Sequence, residues 1–315
     1  MTLSVSLIVL CYNGLALTLG CLESLRRQNY PNCRIIVVDN ASHDGTVEKV
    51  RDAFPEVELI ANGHNLGYAE GNNVGLRAAL EQGADALFLI NNDTRLDPGC
   101  VSALVRALET KPLAGIVGPM VLTWDRPGVI SSAGGQIDWR YADAANVGAG
   151  EPDRRQYLGR GVDFINGCGL MLTAAAAERV GLLDPRYFMY WEEVDLCQRV
   201  WEAGFDLWFE PSARMRHKAS LQVSDLGPTT LYYVTRNRLL FFGQHAPADL
   251  KPLALARAWH GALRGVARHR RAGRYAHAHA TIVAMRHALQ HRWGFADPGI
   301  WSARASLSAA QRAGW

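Results

Sequence analysis

The sequence predicts an α/β fold, a mostly parallel sheet flanked by helices with a helical C-terminal extension. Three observations carry that expectation. Short runs of Val, Ile and Leu alternate with stretches of helical apolar spacing four times within the first 122 residues, the pattern of a parallel sheet with crossover helices. The run at Ala86 is continuously apolar, as a strand covered on both faces is. Three runs end in polar side chains, at Asn13, at Asp39 and at Asn91 with Asp93, and open α/β sheets bind ligands at such strand ends.

In chain order, Ser4 to Leu10 is an apolar, partly β-branched run that ends in Cys11-Tyr12-Asn13-Gly14. Leu15, Leu19, Leu22 and Leu25 then recur at helical spacing. Arg34 to Val38 repeats the plan, ends in Asp39-Asn40-Ala41-Ser42, and leads to a helix from Thr46 to Ala53 before Pro55. Val57 to Ile60 is a third strand, and the helix after it carries Val74, Leu76, Ala79 and Leu80. A helix from Pro98 to Leu108 and a strand from Gly115 to Leu122 close this half.

The stretch Ala86-Leu87-Phe88-Leu89-Ile90-Asn91-Asn92-Asp93-Thr94 joins an apolar strand directly to two amides, a carboxylate and a hydroxyl. Asn91 and Asp93 form an oxygen-ligand pair of the kind that holds Mg²⁺ or Mn²⁺ against a substrate phosphate. Asn, Asp and Thr also make turns and helix caps, so this stretch alone admits both a metal site and a turn. A dinucleotide G-x-G-x-x-G and a Walker A loop are both missing. A nucleotide's phosphates would then be held through a cation on Asp93.

From Thr123 to Gly161 the periodicity breaks down, which predicts a long excursion or mobile loop. Val162 to Leu172 predicts a strand with a glycine break, followed by an Ala-rich helix to Val180. Arg186 to Trp191 is an aromatic run that tips directly into a helix bearing Glu192, Glu193 and Asp195 in its first turns. Acids there gain about 0.3–1 kcal/mol each from the helix dipole, which is a structural role. Beside Tyr190 and Trp191 in a partly dry pocket, a carboxylate's pKa rises toward the range of a general base. These residues do not decide between Glu192 and Glu193. Phe205 to Phe209 predicts an edge strand, and an isolated histidine such as His217 is more often structural or solvated than a metal ligand.

Composition is that of a soluble globular chain, with 315 residues, 49% hydrophobic and 20% charged. The formal charge of +3 is unevenly spread. Lys251 to Arg292 holds nine of the 33 Lys and Arg, six His and no acid, which leaves 24 basic against 30 acidic residues elsewhere. Six scattered cysteines without a CxxC pair suit reduced thiols in cytosol. The N-terminus lacks the features of a secretory signal, and no apolar run approaches the roughly 20 residues of a membrane span. The expected place is the cytoplasm.

Together these residues resemble the family 2 glycosyltransferases of GT-A (nucleotide-diphospho-sugar transferase) fold, in particular the rhamnosyltransferase-like branch. The resemblance covers residues 3 to 245. It rests on Val9-Leu10-Cys11-Tyr12-Asn13-Gly14, Val38-Asp39-Asn40-Ala41-Ser42, Asn65 to Asn73, Leu89 to Thr94, Phe188 to Leu196, His217, and Tyr232 to Arg238. It implies a catalytic domain over 1–245, with a nucleotide-binding half at 1–122 and an acceptor-binding half at 123–245, and a basic, mostly helical extension over 246–315. It implies inverting transfer of a sugar from a nucleoside diphosphate donor with Mg²⁺ or Mn²⁺. A dTDP-rhamnose donor is favoured over UDP- and GDP-sugars, and the acceptor is a glycan or lipid-linked glycan.

Carried over residue by residue, the resemblance places Asp39 at the nucleobase and Asn13 at the nucleoside, with Asn65, Gly67 and Asn72 lining the donor side. Asn91 and Asp93 become the metal motif, His217 the late histidine that closes on metal or diphosphate, and Tyr190 and Trp191 the acceptor wall. Glu193 stands where the family usually has the catalytic Asp of a Glu-Asp pair, so the base lies between Glu193 and Glu192. Two positions depart from the family pattern. Asn91 replaces an Asp and removes one charge from the metal site. Glu193 adds a methylene, and a displacement of that order can cost about 10²-fold in rate.

The tail beyond Pro247 lies outside the resemblance. Leu253, Leu255, Ala258, Trp259, Leu263 and Val266 interleave with Arg257, Arg264, Arg268, Arg270 and Arg271. The expected helix either packs on the catalytic domain with a solvated basic face or touches anionic lipid at the inner face of the cytoplasmic membrane. No aromatic-interleaved motif accompanies this charge, which argues against nucleic acid. Two rival functions remain. A sugar-nucleotide pyrophosphorylase would need a Gly-rich basic loop where Cys11-Tyr12-Asn13-Gly14 stands. A catalytically silent nucleotide-sugar or carbohydrate-binding module would tolerate loss of both Glu192 and Glu193.

Overall fold

The computed structural model describes residues 2–218 and 226–302. Among them the elements run β1 (Val5–Cys11), α1 (Leu15–Arg26), β2 (Cys33–Asp39), α2 (Thr46–Ala53), β3 (Glu58–Ala61), α3 (Gly67–Glu81), β4 (Ala86–Asn91), β5 (Thr94–Leu96), α4 (Cys100–Thr110) and β6 (Ala114–Thr123). They continue with β7 (Ile130–Ser132), β8 (Gly135–Asp138), β9 (Asp143–Asn146), β10 (Arg160–Gly161), β11 (Gly169–Thr173), α5 (Ala174–Val180), α6 (Glu192–Glu202) and β12 (Asp206–His217). Four helices follow: α7 (Pro228–His245), α8 (Lys251–Arg271), α9 (Tyr275–Leu289) and α10 (Gly299–Ser302). Compactness groups residues 2–137, 144–185 and 192–218 in one unit, and 138–143, 186–191 and 226–302 in another.

The first unit is built on a sheet of order β10-β12-β6-β11-β4-β1-β2-β3, with β5 added to β12 and β7 to β6. β1, β2, β3 and β4 pair in parallel, as do β6 and β12. β11 runs antiparallel between β4 and β6. Burial follows the continuous apolar runs: Leu7, Ile8 and Val9 of β1 and Leu87 and Phe88 of β4 are inaccessible to solvent. α3 lies close on β1 because it turns two glycines toward the sheet. A Cβ on Gly75 would come within 2.6 Å of Ile8 Cγ2, and one on Gly71 within 2.7 Å of Leu10 Cδ1.

Three sequence expectations need correction. The stretch 123–161 is not a bare excursion, since it carries β7 and β10 on the main sheet and the β8–β9 pair, and Ile130 and Ala133 are fully buried. Its apolar residues are spread among Gly and Asp, so the strands are too short to show a period. The strand expected over 162–172 shrinks to Gly169–Thr173. Asn166 Oδ1 accepts from Cys168 N at 3.0 Å and Asn166 O from Gly169 N at 3.2 Å, which makes 166–169 a turn. The strand at Phe205 is longer than expected and lies inside the sheet. It runs to His217 between β10 and β6, with an irregularity between Glu210 and Arg214 that accommodates Pro211.

In the second unit α7, α8 and α9 pack together around Tyr232, Tyr233, Ala280, Val283 and Ala284. α8 meets its neighbours through Ala254, Ala258 and Ala262, a stripe of small residues at four-residue spacing. Leu253 and Leu263, on the expected apolar side of this helix, are 42% and 57% exposed. Among the described residues no helix is long and apolar enough to cross a membrane, and the six cysteines are free thiols.

Candidate functional site

Pairing in register brings three strand ends together. Cys11 at the end of β1 lies opposite Asp39 on β2, and Leu10 lies opposite Asn91 on β4. The convergence read from the sequence is therefore a feature of the sheet. Asp39 is buried, with Oδ2 accepting from Ser42 N at 2.8 Å and Oδ1 3.4 Å from Cys11 Sγ. Burial and the Asp39 charge together push the Cys11 thiol far up. Asn13 takes left-handed φ of 56°, which Asn tolerates better than most residues. It donates its N–H to Ser42 Oγ at 2.8 Å and accepts from His43 N at 3.0 Å.

Asn40, which carries no role in the sequence reading, is the centre of the next loop. Its buried amide donates to Gly67 O at 2.9 Å and Asn65 Oδ1 at 3.3 Å, and accepts from Asn62 Nδ2 at 2.9 Å. Asn65 Oδ1 also accepts from Gly67 N at 2.8 Å, where φ of +81° starts α3. Asn72, one turn on, donates to Tyr68 O at 2.9 Å, while its buried Oδ1 has no hydrogen-bond partner among the described residues.

At the end of β4, His217 Nε2 lies 3.1 Å from Asp93 Oδ1 and 3.5 Å from Asn91 Nδ2. β12 delivers His217 because it pairs with β5, opposite Thr94. Burial works against charge on His217, but the Cys168 sulfur and the Asp93 carboxylate outweigh it and push the imidazole up to about 10. Burial likewise opposes ionisation of Asp93, and the His217 hydrogen bond overcomes it and holds the carboxyl below its usual value. Asn91 Oδ1 is buried and lacks a partner among the described residues. A hard-oxygen pair beside an imidazole suits Mg²⁺ or Mn²⁺. Among the described residues no group of three or more His, Cys, Asp and Glu could hold a metal, so such a cation would take further oxygens from its substrate.

The two glutamates at the start of α6 differ. Glu192 is 4% exposed, its Oε2 has no hydrogen-bond partner among the described residues, and burial with the Glu193 charge pushes its carboxyl well above the usual range. Glu193 is partly exposed as a residue, although its Oε2 is buried like that of Glu192. Asp195 on the same helix has a structural task, holding Arg199 at 2.8 Å while Arg199 donates to the carbonyls of Val180 and Leu182.

Gly167 joins the glutamates to the strand ends. The Tyr68 hydroxyl donates to its carbonyl at 2.6 Å, and a Cβ on it would sit 3.4 Å from Glu193 Cβ. The next carbonyl, of Cys168, accepts from Asn91 N at 3.2 Å. Burial, with the charges of Glu192 and Glu193, pushes the Tyr68 phenol well up. Tyr68 and Gly167 stood in the sequence with no sign of their role, because their contact spans 99 residues.

Tyr190 and Trp191 belong to the second unit. The loop 186–191 that carries them has left-handed φ at Phe188, Tyr190 and Trp191. Asn237 Nδ2 lies 2.8 Å from the carbonyls of Tyr187, Met189 and Tyr190, and Arg236 donates to those of Arg186 and Tyr187. Trp191 rests on Phe241 at 5.2 Å between ring centroids. The stretch Tyr232 to Arg238 thus shapes the aromatic loop, a role its sequence did not disclose.

This mixed sheet, with its polar strand ends and its acid-tipped helix, defines the fold class of nucleotide-sugar transferases of GT-A type. Residues 6–158 match the family described as Glycosyl transferase family 2. Among curated relatives, an N-acetylglucosaminyl-diphospho-decaprenol L-rhamnosyltransferase of Mycobacterium tuberculosis is 29% identical over 58% of this chain and 66% of its own length. A dTDP-rhamnosyl transferase, RfbF, of Shigella flexneri is 24% identical over 69% of this chain and 73% of its own. The chain thus spans just under two thirds of the mycobacterial relative. Among solved structures, GalNAc-T7 with UDP, GalNAc and Mn²⁺ superposes with a TM-score of 0.61 at 15% identity, covering 81% of this chain and 54% of that one. A mannosyltransferase of Pyrobaculum calidifontis with GDP-Man and Mn²⁺ gives 0.57 at 17% identity, covering 93% and 88%. These likenesses establish the fold.

Proposed function

We propose that the chain is an inverting glycosyltransferase that moves a hexose, rhamnose favoured, from a nucleoside diphosphate to a hydroxyl of a glycan or lipid-linked glycan. The observation that carries this reading is the chain of contacts from the partly exposed Glu193 through Gly167 and Cys168 to Asn91. On this reading Glu193 is the carboxylate base and the end of β4 the phosphate anchor.

Asp39, already oriented by Ser42 N, offers its remaining lone pairs to a nucleobase N–H, and Asn13 borders the nucleoside. Asn65, Gly67 and Asn72 line the donor, with Asn72 Oδ1 as a ready acceptor. Asp93, Asn91 and His217 would hold a divalent cation, which offsets charge on the departing diphosphate when bound. Glu193 takes the proton of the acceptor hydroxyl as it attacks the face opposite the leaving group, which inverts the anomeric carbon. Glu192, 4% exposed, is less accessible to an acceptor hydroxyl than Glu193 and packs beside it. Tyr190 and Trp191 would border the acceptor.

The names of the two relatives favour a dTDP-rhamnose donor and a lipid-linked acceptor, and the acid-free stretch Lys251 to Arg292 favours peripheral contact with the inner membrane face. Donor hydrolysis tests the reading. dTDP-rhamnose should be consumed faster than UDP- or GDP-sugars with Mg²⁺ or Mn²⁺, and EDTA should stop it. If no sugar nucleotide is bound or hydrolysed, the reading fails.

A further inference from the structure

α7, α8 and α9 enclose a cleft of about 320 Å³ that the transfer chemistry leaves unused. Leu239 and Leu240 from α7 and Leu255 and Trp259 from α8 give it an apolar lining, and the exposed Arg186 and His291 complete it. Its lining holds no carboxylate, and Leu255, Trp259, Ala288 and His291 belong to the stretch Lys251 to Arg292, which carries nine Lys or Arg and six His without one acid. Leu253, Leu263 and Leu289 are 42%, 57% and 69% exposed in the same unit. Apolar surface interspersed with cations, with no carboxylate to repel an anion, complements a molecule with a hydrocarbon body and an anionic head.

Size narrows the choice. Ligand sites run from about 300 to 1,000 Å³, so this cleft sits at the small end and admits one chain. A peptide helix, about 10–12 Å across with its side chains, is too wide, and a bilayer phospholipid brings two chains. We propose that the cleft binds the single hydrocarbon chain of a lipid phosphate, with Arg186 and His291 meeting the phosphate. The identification of this lipid as the non-sugar part of the acceptor rests on the transferase reading above, whereas the binding itself does not. Arg186 opens the loop that Asn237 and Arg236 hold, so an occupied cleft would also steady that loop.

Binding of dodecyl phosphate, below its micelle concentration, to the full chain is measured by titration calorimetry, with dodecyl maltoside as the uncharged control. Gly243 also lines the cleft, and a Cβ there meets only Leu255 Cδ2, at 4.0 Å. Gly243→Leu should therefore fill the cleft and weaken dodecyl phosphate binding by about tenfold or more. Leu255→Trp is the second filling variant should Gly243→Leu not fold. Arg186→Glu should weaken dodecyl phosphate and leave dodecyl maltoside unchanged. The proposal is overturned if the folded filling variants bind as the wild type does, or if both amphiphiles bind equally and Arg186→Glu alters neither. It is also overturned if filling the cleft turns a dimer into a monomer, which would make a second copy the occupant. Binding of phosphatidylglycerol vesicles without any binding of dodecyl phosphate would replace it with plain bilayer contact. Donor hydrolysis by the wild type is scored separately, so a dead transferase that still binds dodecyl phosphate refutes only the transferase reading.

Discussion

Asn237 Nδ2 lies 2.8 Å from the carbonyl oxygen of Tyr190, and the same amide reaches the carbonyls of Tyr187 and Met189 at the same distance. Asn237 is fully buried, and its two amide protons are shared among three carbonyl oxygens. The loop they hold includes three non-glycine residues at positive φ, each a local cost of about 1–3 kcal/mol that the surroundings must over-determine. Asn237→Leu preserves bulk and removes the side-chain donor from the carbonyls of Met189 and Tyr190, while that of Tyr187 keeps Arg236 and Met189 N. It should lower unfolding free energy by roughly 3 kcal/mol in urea titration, since each orphaned buried polar group costs about 1–3 kcal/mol. Asn237→Asp sets a carboxylate oxygen against the same carbonyls, a cost offset in part by stronger pairing with Arg236 Nε, which already lies 2.9 Å from Asn237 Oδ1. A loss under about 1 kcal/mol for Asn237→Leu would mean that Arg236 holds the loop unaided.

The two glutamates at the head of α6 should separate in kinetics. Glu193→Gln keeps the shape of the side chain and removes the proton acceptor, so transfer should fall at least about 10³-fold, within the range for loss of a positioned general base. Nucleotide affinity should stay near wild type, because the Asp39 and Asp93 ends of the site are untouched. Glu192→Gln should retain most of its transfer. Steady-state rates with matched nucleotide binding decide the matter: transfer above a tenth of wild type in Glu193→Gln withdraws its role as base.

Glu192 also predicts a pH effect on stability. Its folded pKa is raised above the ordinary carboxyl value of 4.5 by burial and by the Glu193 charge. A raised folded pKa means that the folded state holds the proton more tightly than the unfolded chain. That contribution is fully present below pH 4.5 and is lost as pH rises toward and through the folded value. An uncharged amide at this position has no proton to lose and carries no such penalty. Melting temperatures of Glu192→Gln and wild type should therefore lie close at pH 4.5 and diverge by pH 8 in favour of the variant, at about 2–4 °C per kcal/mol relieved. Equal curves across that range would show that Glu192 is ionised in the fold.

The sequence revealed the parallel half of the sheet, the strand ends at Asn13, Asp39 and Asn91, and the acid-tipped helix, because each is a local pattern of period or polarity. It did not reveal that β11 enters antiparallel between β4 and β6, since pairing direction is set by chain return and not by the composition of Gly169–Thr173. Nor did it separate Glu192 from Glu193, which are adjacent in sequence and differ only in what packs around them. The clamp of Arg236 and Asn237 was equally hidden, because a buried cation among Tyr232, Tyr233 and the carbonyls of residues 49 and 50 positions away has no helical signature. Short strands such as Gly135–Asp138 alternate over too few residues to stand out from the loops around them.

The site at the end of β4 yields a prediction about charge. Asp93 is its one carboxylate, and the buried Asn91 Oδ1 is an oxygen donor without a partner among the described residues. Asn91→Asp would give a cation a second negative ligand of nearly the same shape. Mn²⁺ should then bind about tenfold or more tightly, read by titration with and without nucleoside diphosphate. Asp93→Ala should remove the metal-dependent part of donor binding. Without metal the same Asn91→Asp change buries a second carboxylate beside Asp93, and like charges in a partly buried site disfavour each other. His217 is close enough to offset only part of that repulsion. The variant should therefore melt below wild type in EDTA and regain or exceed wild-type stability when Mn²⁺ is added, because a ligand that binds only the folded state stabilises it by mass action. If Mn²⁺ affinity is unchanged in Asn91→Asp and Mn²⁺ raises the melting temperature of neither protein, then Asn91 and Asp93 serve as a turn and the cation reading of this strand end fails.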